Sequence, residues 1–193
     1  MATTIRQVEE KPAAYPPAPT VSGQSLTPDD AAVLWQRLES YIVHRWTPRQ
    51  VVWTVEGEGE WTPPLTPADV TSVEVWESGA WVATTPPAGP LGGYDFPGDG
   101  PYRVMATAGD TGVPVEEVKP PEDVLWAFRR LAAYCVSPAR HANLLSATSV
   151  EEEERAGDGS TARLSYERPA TWLGRAIVNS GAADLLRTYR RVP

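Results

Sequence analysis

The chain has 193 residues, a formal net charge of −8 and a single cysteine. That length holds one domain with tails. The charge argues against gripping nucleic acid by bulk electrostatics, and a lone Cys135 excludes an internal disulfide. Twenty prolines and eight tryptophans stand against two histidines, so side chains that shape surfaces outnumber those that do chemistry. No apolar run approaches the ~20 residues needed to cross a bilayer. The first eleven residues lack the apolar middle of a signal peptide. The expectation is a soluble chain, cytoplasmic at synthesis, with no membrane partner.

Residues 1–26 read as an extended arm, because Pro12, Pro16, Pro17 and Pro19 favour polyproline-like backbone over helix or central strand. Such an arm is either a disordered tail or a strap across a neighbouring subunit. A first helix follows. Thr27 can cap it, Pro28 suits its first position, and Asp29 and Asp30 complement its dipole. Leu34, Trp35, Leu38, Tyr41, Ile42 and Trp46 recur at helical spacing, and Thr47-Pro48 ends the pattern. His44 falls within it. From residue 50 to 107 the period changes to two: Val51, Trp53 and Val55 alternate with polar residues, as do Val73 and Val75, and Tyr102 and Val104. Turn signals lie at Gly57 and Gly59, Ser78-Gly79 and Asp99-Gly100. Proline pairs at 63–64 and 86–87 exclude central strands there. A small antiparallel sheet of hairpins results, carrying Trp53, Trp61, Trp76 and Trp81.

A second helix opens at Pro120-Pro121 with Glu122 and Asp123 in its first turn. Leu125, Phe128, Leu131 or Ala132, and Cys135 form its apolar stripe, which makes Cys135 a small buried residue rather than a reactive thiol. Ser137-Pro138 ends it. Residues 138–168, with glutamates at 151–154 and a Gly-Asp-Gly-Ser run, read as a mobile acidic loop. Residues 169–193 read as a helical tail opened by Pro169, with Trp172 and Leu173 in its first stripe. Asn179-Ser180-Gly181 breaks it and Ser180 can cap the second piece. The fold class is α+β: a helical core with an inserted small antiparallel hairpin sheet, an extended N-terminal arm and a C-terminal helical tail. Residues 27–137 form the central domain.

Chemistry is hard to find. His44 and His141 are far apart, and neither has metal-ligand spacing around it. No Gly-x-Ser-x-Gly elbow is present. Gly57-Glu58-Gly59 is flanked by acids and followed by no Lys-Ser/Thr, so it does not cradle phosphate. Asp95, Asp99 and Asp110 lack the closely alternating oxygens of a calcium loop. The expectation is no catalytic residue, no metal and no cofactor. Tryptophans on a small sheet also fit a carbohydrate-binding platform, although such modules are mostly strand.

Three stretches carry a likeness to a known family. They are Leu38-Glu39-Ser40-Tyr41-Ile42-Val43-His44-Arg45-Trp46-Thr47-Pro48-Arg49, then Tyr102-Arg103-Val104-Met105-Ala106-Thr107-Ala108-Gly109 with Val113-Pro114-Val115-Glu116-Glu117-Val118-Lys119, and Ser180-Gly181-Ala182-Ala183-Asp184-Leu185-Leu186-Arg187-Thr188-Tyr189-Arg190-Arg191. In this order they resemble the head–tail connector (adaptor) proteins of tailed bacteriophages and phage-like gene transfer agents. The proline-rich arm stands where many members begin with another helix, and the usual Arg-Glu helix ending is missing after Ser137-Pro138. The resemblance implies a non-enzymatic subunit of a ring, a dodecamer, in the neck of the virion, assembled in the host cytoplasm. Its partners would be the portal protein ring, a stopper or tail-terminator protein, and further copies of itself. Genomic DNA would pass through the lumen without sequence-specific binding. Trp172, Leu185, Leu186 and Tyr189 would be apolar anchors, and Arg187, Arg190 and Arg191 would seek acidic groups on the portal. A stopper or tail-terminator role in the same neck is the nearest rival.

Overall fold

A computed structural model describes residues 1–22, 25–90, 92–136, 149–155, 161–167 and 174–190. The expectations for Ser137-Pro138, His141, the Gly-Asp-Gly-Ser run, Pro169, Trp172, Leu173 and Arg191 lie outside these residues. The chain divides into two compact units. One holds residues 1–18, 39–120 and 189–193; the other holds 19–38 and 121–188. Both helix and antiparallel sheet are present, so the chain is a mixed α+β protein.

The first unit is built on a five-stranded antiparallel sheet. Its strands are β1 (Thr3–Glu9), β2 (Arg49–Glu56), β4 (Ala68–Glu77), β5 (Ala80–Thr84) and β7 (Tyr102–Ala108), in spatial order β1-β2-β7-β4-β5. β3 (Gly59–Trp61) and β6 (Tyr94–Phe96) pair separately. Alternation dictates the inner face. Val51, Trp53 and Val55 of β2 oppose Ala106, Val104 and Tyr102 of β7, and all six are buried. Val73 of β4 joins them against Val104. Trp61 and Phe96 complete the cluster. Trp61 meets Trp53 edge-on at 5.7 Å, and Phe96 stacks on Tyr102 at 4.2 Å. Each buried indole removes about 150–250 Å² from water. The turn signals act as read: Ser78 and Gly79 both take positive φ, 51° and 84°, the geometry of a two-residue hairpin turn.

This sheet overturns one emphasis of the sequence reading. It is not a minor insertion in a helical core but carries a core of its own. The arm differs too. Residues 3–9 are the edge strand β1, with the pairing shifted between Thr4 and Arg6. The prolines begin only at residue 12, so nothing prevented the preceding residues from joining the ladder.

In the second unit, α1 (Pro28–Tyr41) contributes the residues up to Leu38 and α2 (Glu122–Val136) lies wholly within it. Thr27 caps α1 as expected: its hydroxyl accepts from the Asp30 N–H at 3.2 Å, and the Asp30 carboxylate accepts from the Thr27 N–H and hydroxyl. Trp35 is fully buried and packs on Phe128 of α2 at 4.8 Å. The buried stripe of α2 is Val124, Ala127, Phe128, Leu131 and Ala132. Cys135 is only half-buried, one turn beyond the best-packed part of that stripe. Two short helices, α3 (Ala176–Asn179) and α4 (Ala182–Leu185), pack against α2. Gly181 breaks them apart at φ 73°, and Ser180 Oγ accepts from the Ala182 N–H at 3.3 Å. Strands β8 (Ser149–Arg155) and β9 (Thr161–Glu167) form a hairpin where a loop was expected.

Candidate functional site

The helix predicted through Trp46 stops at Tyr41, and the reason is Arg45. Its guanidinium turns back and Nη1 donates to the carbonyls of Glu39, Ile42 and His44 at 2.7, 3.0 and 3.2 Å. Those of Glu39 and Ile42 belong to the helix end, which leaves its last carbonyls without intrahelical partners. The rest of Arg45 forks onto Glu9, with Nε and Nη2 donating at 2.6 and 3.0 Å. Arg49 makes the matching fork onto Glu39, at 2.6 and 3.0 Å. It also donates to Glu9, to Thr47 Oγ1 and to the Thr47 carbonyl. Tyr15 lies beside the Arg49 guanidinium, 5.8 Å from ring centre to Cζ.

Two arginines and two glutamates thus tie the first strand, the helix end and the second strand into one knot. Burial alone would raise Glu9, but hydrogen bonds to Arg45 and the charges of Arg45 and Arg49 outweigh it and hold the carboxyl below its ordinary value. Glu39 is buried more deeply, and desolvation there pushes its carboxyl up against the pull of Arg49. Every guanidinium nitrogen of Arg45 and Arg49 has a hydrogen-bond partner, so the knot is structural. Sequence reading missed it, although a signal existed. Glu39 sits four residues after Trp35 and three before Ile42, on the apolar face of the helix, where an acid requires a buried cation.

Beside the knot, the first and third of the stretches that carry the family likeness meet. The Val43 N–H donates to the Tyr189 carbonyl at 3.0 Å. His44 lies over Trp46 at 3.9 Å, and the Tyr189 ring stands edge-on to both, at 5.8 Å from Trp46 and 6.2 Å from His44. Arg190 spreads over the Tyr41 ring at 4.7 Å and donates to its hydroxyl at 3.2 Å. The result is an aromatic cluster in which Trp46 is buried and Tyr41, His44 and Tyr189 are half-buried, with the exposed cation of Arg190 beside it. His44 is therefore not a helix residue but part of a loop that bridges to Thr66.

Burial lowers the His44 imidazole from its ordinary 6.5, the Arg45 charge lowers it further, and Asp110 opposes both. The unfolded chain therefore binds more protons at this site as pH falls below about 6.5, and stability falls over that window. Thermal melts at about pH 7.5 and 5.5 test this. Wild type is expected to lose more on acidification than a His44→Phe variant. Equal losses would remove His44 as the source.

The other residues expected to anchor a partner divide. Leu186 is fully buried and Leu185 half-buried, so Leu186 has no surface to offer. Arg187 is exposed and pairs with Asp184 at 3.0 Å. Tyr189 is half-buried and Arg190 exposed.

The four sheet tryptophans divide. Trp53 and Trp61 are in the core. Trp76 and Trp81 face each other across strands at an interplanar angle of 65°, and the Arg103 guanidinium covers Trp81 at 4.7 Å. Arg103 is fixed there by Glu74, to which its Nε donates at 2.6 Å. A cleft of about 330 Å³ lies between Met1, Ala2, Thr3, Thr4, Glu60, Trp61 and Thr62. The Trp61 indole N–H already donates to Thr4 Oγ1 at 2.8 Å.

No family model, curated protein or solved structure matches this chain. Among the described residues, no group of three or more His, Cys, Asp or Glu side chains is placed to hold a metal ion. None of the described helices is long and apolar enough to cross a membrane.

Proposed function

We propose that this chain is a head–tail adaptor subunit of a phage neck. In that role it forms a ring on the portal, through which DNA passes, and presents a platform to the stopper or tail. The observation that supports this most is the meeting of Leu38–Arg49 with Tyr189 and Arg190. Two stretches that resemble the adaptor family, far apart in sequence, build one aromatic cluster whose half-buried His44, Tyr41 and Tyr189 lie beside the exposed Arg190. Aromatic and arginine side chains of this kind are favoured anchors of protein interfaces. The net charge of −8 suits a lumen wall along which phosphate slides without sticking.

The test is electron microscopy of the protein mixed with the portal ring of its own phage. Portal rings are expected to gain a symmetric extra layer. Deleting the tail would be a poor probe, because Ala182 and Leu186 are fully buried. Charge reversal is the cleaner one. Arg187→Glu with Arg190→Glu should leave circular dichroism unchanged and weaken attachment at least tenfold, about 1.4 kcal/mol. Unaltered attachment would place the anchor elsewhere, and portals that stay bare with the wild-type chain would refute the adaptor reading.

A further inference from the structure

The two edges of the five-stranded sheet are built differently. β1 carries Arg6 and Glu9, and its pairing is interrupted between Thr4 and Arg6. Charge and a bulge are the usual protections of an edge against recruiting another strand. β5 has neither. It reads Ala-Trp-Val-Ala-Thr and pairs with β4 without a break from Thr84 to Ala80. Val82 on this edge and Trp76 beside it are both 44% exposed. An uncharged, unbroken, apolar edge is a template for strand addition.

The occupant is indicated within the same chain. β8 and β9 hydrogen-bond only to each other among the described strands. A two-stranded hairpin by itself is marginal in water and needs a third strand or a packing face. β8 contains four glutamates in its seven residues, whereas β9 reads Thr-Ala-Arg-Leu-Ser-Tyr-Glu. The strand behind the open edge, β4, ends in Glu77, while its Glu74 is already paired with Arg103. Repulsion therefore disfavours β8 at this edge, and β9 is the strand that fits. Its seven residues cover the five of β5.

We propose that β9 of one copy adds to the free edge of β5 in a second copy, extending the sheet across the contact. Donor and acceptor are different surfaces, so the contact is head-to-tail and closes into a ring when the rotation per copy permits. This contact follows from the edges of the sheet, independently of a neck role, and supplies the self-contact that a ring requires.

Two populations of the full chain, both Cys135→Ala, test the contact in the absence of portal. One carries Ala83→Cys on β5 and the other Ser165→Cys on β9. Oxidation is expected to give a mixed disulfide between them. Adding Val82→Lys to the first population is expected to suppress that product while leaving its circular dichroism unchanged. In sedimentation velocity, replacing residues 149–167 with a Gly-Ser linker is expected to abolish the larger species that wild type forms as concentration rises. Four results would overturn the proposal: no mixed disulfide, an Ala83→Cys population that links only to itself, a mixed product indifferent to Val82→Lys, or a wild type that stays monomeric. Portal attachment of the same variants keeps the two ideas apart. Layered portals without the mixed disulfide would sink only this contact, whereas the mixed disulfide with bare portals would sink only the neck reading.

Discussion

Replacing Arg49 with methionine is expected to lower unfolding free energy by about 3–5 kcal/mol, read as a fall in the urea midpoint. Arg49 and Glu39 each leave only 3% of the side chain exposed, so removing the cation strands a carboxylate that water cannot reach. The size of the effect comes from that orphaned charge and not from the strength of the pair. The double variant Glu39→Met, Arg49→Met separates the two. It removes both charges and keeps apolar volume, and is expected to recover at least half of the loss. A double variant that is as unstable as the sum of the singles would show that the two side chains act independently and that an orphaned charge is not the cause of the loss.

The second large effect is expected at Gly109. It takes φ 107°, a conformation that L side chains rarely adopt, and its N–H donates to the Pro67 carbonyl at 2.9 Å. A methyl group there would fall well inside contact distance of the Thr47 carbonyl. Gly109→Ala therefore combines backbone strain of about 1–3 kcal/mol with a clash of about 1–3 kcal/mol. The displaced carbonyl is the one to which Arg49 Nε donates. Gly109→Ala and Arg49→Met should consequently be less than additive in the urea midpoint. Strict additivity would mean that the strain is absorbed at Gly109 without reaching the knot.

Much of the sheet was legible because period two is a strong signal where one face is buried. Val51, Trp53 and Val55 could face inward together only as a strand. The capping of α1 and the break at Ser180-Gly181 were legible for a similar reason: they depend on residues adjacent in sequence. What failed depends on partners far along the chain. Arg45 looks like one more residue on a helix until Glu9 and the free carbonyls of that helix's end are placed around it. The strand at residues 3–9 was hidden because its apolar content, Ile5 and Val8, is half-exposed, so no clean alternation marks it. The anchor residues of the tail follow from the family resemblance, which does not distinguish Leu186, which the fold consumes, from Arg190, which it displays.

The contact between Tyr41 and Arg190 joins residues 149 positions apart. At roughly 5–20 residues per second, a ribosome needs about 7–30 s to make the intervening chain. Throughout that interval the indole of Trp46 and the ring of His44 stand without the Tyr189 cover that later shields them. Completion of this surface thus reports that translation has run through residue 190. A chain that stops before Tyr189 keeps an uncovered aromatic edge for chaperones and proteases to find, and only chains that reach residue 190 can present the finished face.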